Sequence, residues 1–167
     1  FSWNYTFKKC AKFIFIGTMN PGDISTEELS DVFVDRFDFI YMDYPSDRKV
    51  EENIVKIKGK NLVKFPKKLL ELMIKFIHEL RYNPDLEKVP SVRASLGLYE
   101  RAQSNAKLEK REQVIFRDIQ KAIISVLAHR IRLKPSVKYT KSPKELLKKE
   151  LKRFKTENNI DESGDGP

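Results

Sequence analysis

The first fifty residues alternate short apolar runs with turn signals. Residues 12–18 (KFIFIGT) form a nearly continuous apolar run, which is typical of a buried strand in a parallel sheet. The run stops at the turn Asn20-Pro21-Gly22. Ser25 or Thr26 can cap a short helix, and residues 38–43 (DFIYMD) predict a second strand.

After Pro45 the apolar positions take a helical period. The clearest example follows Pro66, where Leu69, Met73, Phe76 and Leu80 mark one face at spacings of three and four. Together with Gly59, Asn83-Pro84 and several serines that suit helix starts, the pattern predicts helices over about residues 47–58, 66–82, 91–110, 114–133 and 142–156.

The predicted fold class is an α/β core remnant followed by an all-α region. The remnant consists of two parallel strands and a helix, and the all-α region is a helical bundle. Two strands joined by a short helix cannot bury both faces, so we expect them to need a larger sheet. The chain opens on Phe1 and enters a strand within a dozen residues. We therefore expect an N-terminal portion to be missing, and we divide the chain at residues 1–47, 48–135 and 136–167.

Charge adds one feature to this picture. The 167 residues carry a net charge of +9, and residues 134–157 hold nine Lys/Arg against three Glu, a net +6. We interpret this segment as a solvated basic helix followed by a disordered end. Its surplus charge could still attract a phosphate backbone or an acidic partner, although we do not favour nucleic acid as the partner.

Composition excludes several classes of protein. The single Cys10 cannot form an internal disulfide, and two histidines without cysteine partners make a zinc site improbable. The longest apolar stretch, residues 122–128, is too short to span a bilayer. These features predict a cytoplasmic protein without a metal site of its own.

Three polar residues stand where local structure makes them unusual or useful. Asn20 ends the first strand, at the edge of an open sheet where ligands bind, but Asn-Pro is also an ordinary turn. Arg36 lies between a helix and a strand, where the helix dipole alone would favour a cation. Arg93 falls at the second position of the helix capped by Ser91, where the dipole disfavours a cation unless an anion binds there.

In this order the three residues carry a resemblance to a known family. The segment "FIFIGTMNPGD…ELSDVFVDRFDFIYMDYPSD", residues 13–47, resembles the second half of the nucleotide-binding core of AAA+ ATPases. It is most similar to the MoxR and dynein-related branch, close to magnesium chelatase subunits. The later "SVRASLGLYERAQSNA" and "VLAHRIRLKP" resemble the helical lid domain of that branch, so that residues 48–135 would form the lid.

The resemblance implies a role for each residue in ATP hydrolysis. Asn20 matches sensor 1, which orients the attacking water or contacts the γ-phosphate. Arg36 matches the arginine finger, which reaches the nucleotide of the neighbouring subunit. Arg93 matches sensor 2, which contacts the γ-phosphate from the lid. Neutral asparagine can donate and accept hydrogen bonds, and arginine offers a permanent planar cation to phosphate oxygens.

The chain departs from the family in what it lacks. It contains no G-x-x-x-x-G-K-[ST] motif, because the Gly59-Lys60 pair is followed by Asn61. No apolar strand ends in Asp-Glu, since Asp161-Glu162 lies in the polar tail. ATP and Mg²⁺ would therefore need the missing N-terminal segment, and we expect this chain alone to be inactive.

Two classes of function remain open. The first is a remodelling or chaperone-like AAA+ motor subunit, an ATPase in its complete form. The resemblance implies assembly as a homo-oligomeric ring, expected to be a hexamer, and a von Willebrand A-domain protein as a partner. The second is a non-catalytic helical module that uses its basic C-terminal helix to bind nucleic acid or an acidic protein. A free-standing DNA-binding domain is a weaker third option, because no recognition helix stands out.

Overall fold

The computed structural model describes residues 12–19 and 29–160. The chain divides into two compact units, Phe1–Tyr41 and Met42–Pro167. The buried apolar core identified in the structure extends from Val55 to Ile160 and so belongs to the second unit. No helix in the described ranges is long and apolar enough to cross a membrane.

The described part of the first unit contains one short helix, α1 (Asp31–Val34). Three aromatic side chains gather beside it: the ring centroids of Phe33 and Phe37 are 4.6 Å apart, and those of Phe15 and Phe37 are 5.7 Å apart. Most other apolar side chains here face solvent, including Ile14 and Ile40 at 89% and 85% exposure. This unit therefore has an aromatic cluster but few buried aliphatic side chains among its described residues.

The two predicted parallel strands are not formed in the described residues. Residues 12–19 and 38–43 have no strand pairing, so this detail of the prediction is wrong. The physical reason is that two strands need a larger sheet. Among the described residues, neither segment has neighbouring strands that would bond its backbone and cover its two faces. The described helix also begins later than predicted, at Asp31 after Ser30.

Helices α2 (Arg48–Lys58) and α3 (Lys67–Arg81) open the second unit. Asp47 caps α2 by accepting a hydrogen bond of 2.8 Å from the Lys49 amide, and Gly59 follows its last residue. Pro66 precedes α3, whose buried face carries the apolar residues predicted from their spacing. Both helices confirm the helical pattern within one or two residues at each end.

Helices α4 (Val92–Leu108) and α5 (Phe116–Leu127) form the most extensive helix pair. Asp118 supports the start of α5 by accepting a hydrogen bond of 2.9 Å from the Ile115 amide. Arg111, in the turn between the helices, donates to both Asp118 carboxylate oxygens at 2.7 and 2.6 Å. This ion pair links the end of the turn to the first turn of α5.

A small antiparallel sheet closes one end of the helices. It joins β1 (Leu86–Lys88) to β2 (Arg132–Leu133), with Leu86 opposite Leu133. The sequence pattern predicts a helix as far as residue 133, but α5 ends at Leu127. A short turn and β2 follow, and the four-residue helix α6 (Pro135–Lys138) comes next.

The basic helix is part of the core. Helix α7 (Pro143–Glu157) begins at a capping box in which Ser142 and Glu145 bond each other's backbone amides. It packs against α5 and α3, and the rings of Phe76 and Phe154 meet edge to face with centroids 5.2 Å apart. The helix is thus amphipathic, with one lysine-rich face and one buried face. The mostly helical structure with a small sheet confirms the predicted fold class of a helical lid with a small α/β remnant.

Candidate functional site

The three predicted site residues are found in different surroundings. Asn20 lies outside the described residues. Arg36 belongs to the first compact unit and Arg93 to the second, so each is described in its own unit. Their assigned roles stay predictions.

Arg36 is exposed and lies two residues after the end of α1. Its Nη1 atom donates a hydrogen bond to the carbonyl oxygen of Val32, one turn back. The bond satisfies a free carbonyl at the helix end, as expected if Arg36 is simply a cation favoured by the helix dipole. A guanidinium has five N–H donors, so this contact leaves donors for a second partner.

Arg93 is exposed at the second position of α4. Ser91 has the extended backbone of an N-cap residue, with φ −83° and ψ 174°, but its side chain makes no capping hydrogen bond to the described part of the chain. The first-turn amides of a helix have no partner within the helix, and with the dipole they attract anions. Arg93 adds a full positive charge at this same end.

A buried ionic network fixes the start of α4. Glu51 on α2 is fully buried and binds Arg81 on α3 through both carboxylate oxygens, at 2.7 and 2.8 Å. Ser95 on α4 donates a hydrogen bond to the same carboxylate. Arg81 Nε also donates to the carbonyl oxygen of Pro90 at 2.9 Å, immediately before the cap of α4. The network therefore joins three helices one residue away from Ser91.

His78 completes the network, with its Nε2 atom 2.8 Å from Glu51 Oε2. The histidine is buried, which agrees with its interpretation as a packed residue. Burial raises the pKa of Glu51, but hydrogen bonds from Arg81, Ser95 and His78 and the charge of Arg81 outweigh it. The pKa of Glu51 is therefore lowered, and the carboxylate is ionised at neutral pH.

Sequence analysis missed this network. Glu51 occupies the same face of α2 as the buried Val55, four residues later, and a glutamate on an apolar helix face is the signal that could have indicated a buried ion pair. Arg81 and Ser95 carry no comparable signal, because an arginine in the last turn of a helix and a serine in the first are ordinary.

A second guanidinium, that of Arg130, lies beside α4 at Gly97. The Nη2 atom of Arg130 is 3.8 Å from the point that a β-carbon on Gly97 would occupy. Gly97 is one helical turn after Arg93, so the two positions share a face. Arg130 Nη1 donates to the Val126 carbonyl oxygen at 2.5 Å and lies 2.8 Å from His129 Nε2. Sequence analysis did not single out Arg130. The feature that could have indicated it is its position directly after His129 in the segment "VLAHRIRLKP".

Part of the helical unit is similar to a known class of domain. Residues 88–150 match the family model of the AAA lid domain, a range that includes both Arg93 and Arg130. This match supports the prediction that the chain contains the C-terminal region of an AAA+ module.

One solved structure is similar over most of the chain. It is the crystal structure of a "putative ATPase" from Cytophaga hutchinsonii, with 20% sequence identity and a TM-score of 0.53. The alignment covers 80% of this chain and 51% of that protein, so the chain spans about half the length of the structure it resembles. At this identity the similarity shows a shared fold. No curated protein sequence matches the chain.

Proposed function

We propose that the chain is the sensor and lid part of an AAA+ ATPase subunit of the MoxR and dynein-related branch. In the complete protein, ATP hydrolysis would move the lid and remodel a client protein. The observation that carries this proposal is the exposed Arg93 at the N-terminus of α4, inside the segment that matches the AAA lid domain.

Arg93 and its surroundings fit a phosphate group. The guanidinium and the amides of Val92 and Arg93 at the helix start are donors, and phosphate oxygens are acceptors. The ion network behind α4 keeps this helix end in one position, which favours electrostatic stabilisation by a preorganised group. Arg130 places a further positive charge beside Gly97, one turn after Arg93 on α4.

Magnesium has no comparable place in the described residues, which contain no group of three or more His, Cys, Asp or Glu side chains able to hold a metal ion. Bound Mg²⁺ would supply charge neutralisation of the phosphates. Its ligands would come from elsewhere in the complete protein, and the residues discussed here would act on ATP directly.

Arg36 is proposed as the arginine finger and Asn20 as the residue that orients the attacking water. The exposure of Arg36 and its uncommitted donors support a partner outside its own unit. A finger supplied by a neighbour makes hydrolysis depend on assembly, which agrees with a homo-oligomeric ring, proposed as a hexamer. A von Willebrand A-domain partner and a cytoplasmic location complete the proposal and depend on the family resemblance alone.

The Arg93 assignment is tested in the longer protein that includes the nucleotide-binding half. Arg93→Ala should lower ATP turnover roughly 10- to 100-fold, the equivalent of a hydrogen bond to a charged group. Arg101→Ala is the matched control, because Arg101 is an exposed arginine on the same helix two turns further on. Equal turnover in the two variants would remove Arg93 from the site.

The finger assignment is tested by mixing subunits. Arg36→Ala should abolish most hydrolysis alone, since a finger contributes about 10³- to 10⁵-fold in phosphoryl transfer. Mixed with a subunit that cannot bind ATP but keeps Arg36, it should recover part of the rate. Full activity of Arg36→Ala alone, or no recovery in a mixture shown to co-assemble, contradicts the assignment.

A further inference from the structure

Four lysines form a row along the outer face of α7. Lys144, Lys148, Lys152 and Lys155 are spaced by four, four and three residues, so they follow one side of the helix. The first three are exposed and Lys155 is partly exposed. The opposite face is fixed in the core by Leu146, Leu147, Leu151 and Phe154. The row therefore has a defined orientation on the surface of the folded unit, because α7 cannot turn without opening the core.

The carboxylates of α7 are engaged elsewhere. Glu145 is the acceptor of the Ser142 capping box. Arg153 lies 2.9 Å from Glu150 and 3.4 Å from Glu157, so these two carboxylates share one cation. No carboxylate of the described chain lies within ion-pair distance of the four lysines. The charge of Lys148 contributes to the lowered pKa of Glu145 without an ion pair between them, so this side of the helix keeps an excess of positive charge.

An open groove of about 920 Å³ adjoins the end of α7. Asn158, the residue after α7, lines this groove and accepts a hydrogen bond of 2.6 Å from Lys75. The groove is also lined by Arg48, Lys49, Lys67 and Lys68.

The carboxylates that line the groove also have hydrogen-bond or ion-pair partners. Asp47 caps α2, Glu71 lies 3.8 Å from Lys67, and Glu52 lies 3.9 Å from Lys56. The lining therefore presents more free cations than anions, as the lysine row does.

The composition of this surface favours one class of partner. The outer face of α7 presents lysines, and Leu72 is the apolar side chain that lines the groove. Specific protein interfaces have an apolar core with aromatic anchors and few lysines. Interfaces with nucleic acid are more polar and much more positive, and lysine contacts phosphate as a point charge without reading bases. The rise of 1.5 Å per residue places the first three lysines about 6 Å apart along the helix and the last pair about 4.5 Å apart.

We propose that the lysine row and the adjoining groove form one surface that binds the phosphate backbone of nucleic acid without base specificity. This activity is separate from ATP hydrolysis and requires no nucleotide. It would hold the lid unit on a polyanion while leaving the α4 terminus and Arg93 to their own partner.

The experiment measures binding of the 167-residue chain to a fluorescent DNA duplex by anisotropy, in a salt series without ATP. If the four lysines of the row each neutralise one phosphate, they contribute about −3.6 to the slope of log K against log[salt], and cations of the groove that contact phosphate make the slope steeper. For the row alone, raising salt from 50 to 200 mM would then weaken binding roughly 150-fold. Two duplexes of unrelated sequence should give the same affinity.

Matched variants locate the surface. Replacing Lys144, Lys148, Lys152 and Lys155 with Gln should reduce the slope by about one unit per lysine. The control replaces four other exposed lysines, Lys58, Lys60, Lys107 and Lys110, with Gln, which gives the same change in net charge. Thermal unfolding and far-ultraviolet circular dichroism verify that both variants fold, and the single change Lys152→Glu serves if the fourfold variant does not.

Three results overturn the proposal. One is no binding of the duplex at 50 mM salt, and another is equal loss of binding in the row variant and the control. The third is binding of a poly-glutamate peptide as tight as that of the duplex, with the same salt slope, which would indicate an acidic protein as the partner. Each of these outcomes is independent of ATPase activity, so a failure of the binding proposal would not contradict the proposed motor function.

Discussion

Glu51 shows how one charged residue can organise the helical unit. It has no exposed surface, and it is held by Arg81, Ser95 and His78 from two other helices. Taking a carboxylate and a guanidinium out of water is costly, and the pair is tolerated because both partners are hydrogen-bonded. Removing only one partner would leave the other charged and buried. The value of the network for function lies in the fixed position of α4, on which Arg93 is carried.

Glu51→Ala should lower the free energy of unfolding by about 3–5 kcal/mol, because it leaves the guanidinium of Arg81 uncompensated in the interior. Urea unfolding at neutral pH measures the change. The control is Glu71→Ala, which breaks an exposed pair with Lys67 and should change stability by less than about 1 kcal/mol. Similar small effects in both variants would show that Glu51 is not essential to the core.

The lowered pKa of Glu51 also predicts a dependence on pH. Below its ordinary value of 4.5 the unfolded chain takes up the proton first, so the stability that this carboxylate contributes is present above that pH and is lost as the pH falls through the folded pKa. The difference in stability between the wild-type chain and Glu51→Gln should therefore shrink between pH 5 and pH 3. Other acids with lowered pKa values, such as Glu109 at about 2, titrate in both proteins and cancel. A difference that is constant with pH would contradict this account.

At the scale of the elements, the backbone of Gly59 at the end of α2 comes close to Tyr99 on α4. A β-carbon on Gly59 would lie 2.6 Å from the Val55 carbonyl oxygen and 2.7 Å from Tyr99 Cδ1. Tyr99 cannot easily move, because it stacks on Phe65 with centroids 4.7 Å apart and donates a hydrogen bond to Asn61. Only glycine fits this contact without displacing the α2 terminus or the ring.

Gly59→Ala should therefore destabilise the unit by about 1–3 kcal/mol, the usual cost of overpacking. Gly97→Ala provides a graded comparison, because its β-carbon would meet a single methyl group, Val126 Cγ1, at 3.0 Å, and alanine is the better helix former. Thermal melts of the two variants should give the larger loss for Gly59→Ala. The reverse order would mean that Tyr99 adapts more readily than Val126.

The sequence predicts the long helices well and the short elements poorly. Helix α3 was predictable because its apolar spacing continues for four turns between Pro66 and Asn83-Pro84. The strands β1 and β2 have three and two residues, which is too short for an alternating pattern, and residues 128–133 were read as a continuation of α5. The exposed Arg93 was predictable from a helix start. Glu51 with Arg81 was not, because their partnership depends on how three helices pack.

At the scale of the whole molecule, the helical unit contains the core that the structure describes. Its buried apolar residues run from Val55 to Ile160, and α7 supplies Leu146, Leu147 and Phe154 to it. The basic segment was predicted to be a solvated helix, but its apolar face packs on α3 and α5. The charged composition of the segment hid this face, since the leucines and Phe154 are a minority among lysines.

The fragment 42–167 should unfold cooperatively with nearly the same midpoint as the full chain, because it retains the described core. Deletion of residues 142–167 should instead abolish the cooperative transition and expose apolar surface that binds a hydrophobic dye, since the faces of α3 and α5 lose their cover. Differential scanning calorimetry of both fragments tests this. A sharp transition in the shortened fragment would show that α7 is dispensable for folding.

The distant pairing of α3 with α7 has a consequence for synthesis. Lys75 contacts Asn158 across 83 positions of sequence. A ribosome adding 5–20 residues per second needs roughly 4–16 s to make that interval. During this time the nascent chain presents the leucine- and phenylalanine-rich side of α3 without its final neighbour. A holding chaperone that covers this side of α3 would protect the growing polypeptide until α7 arrives.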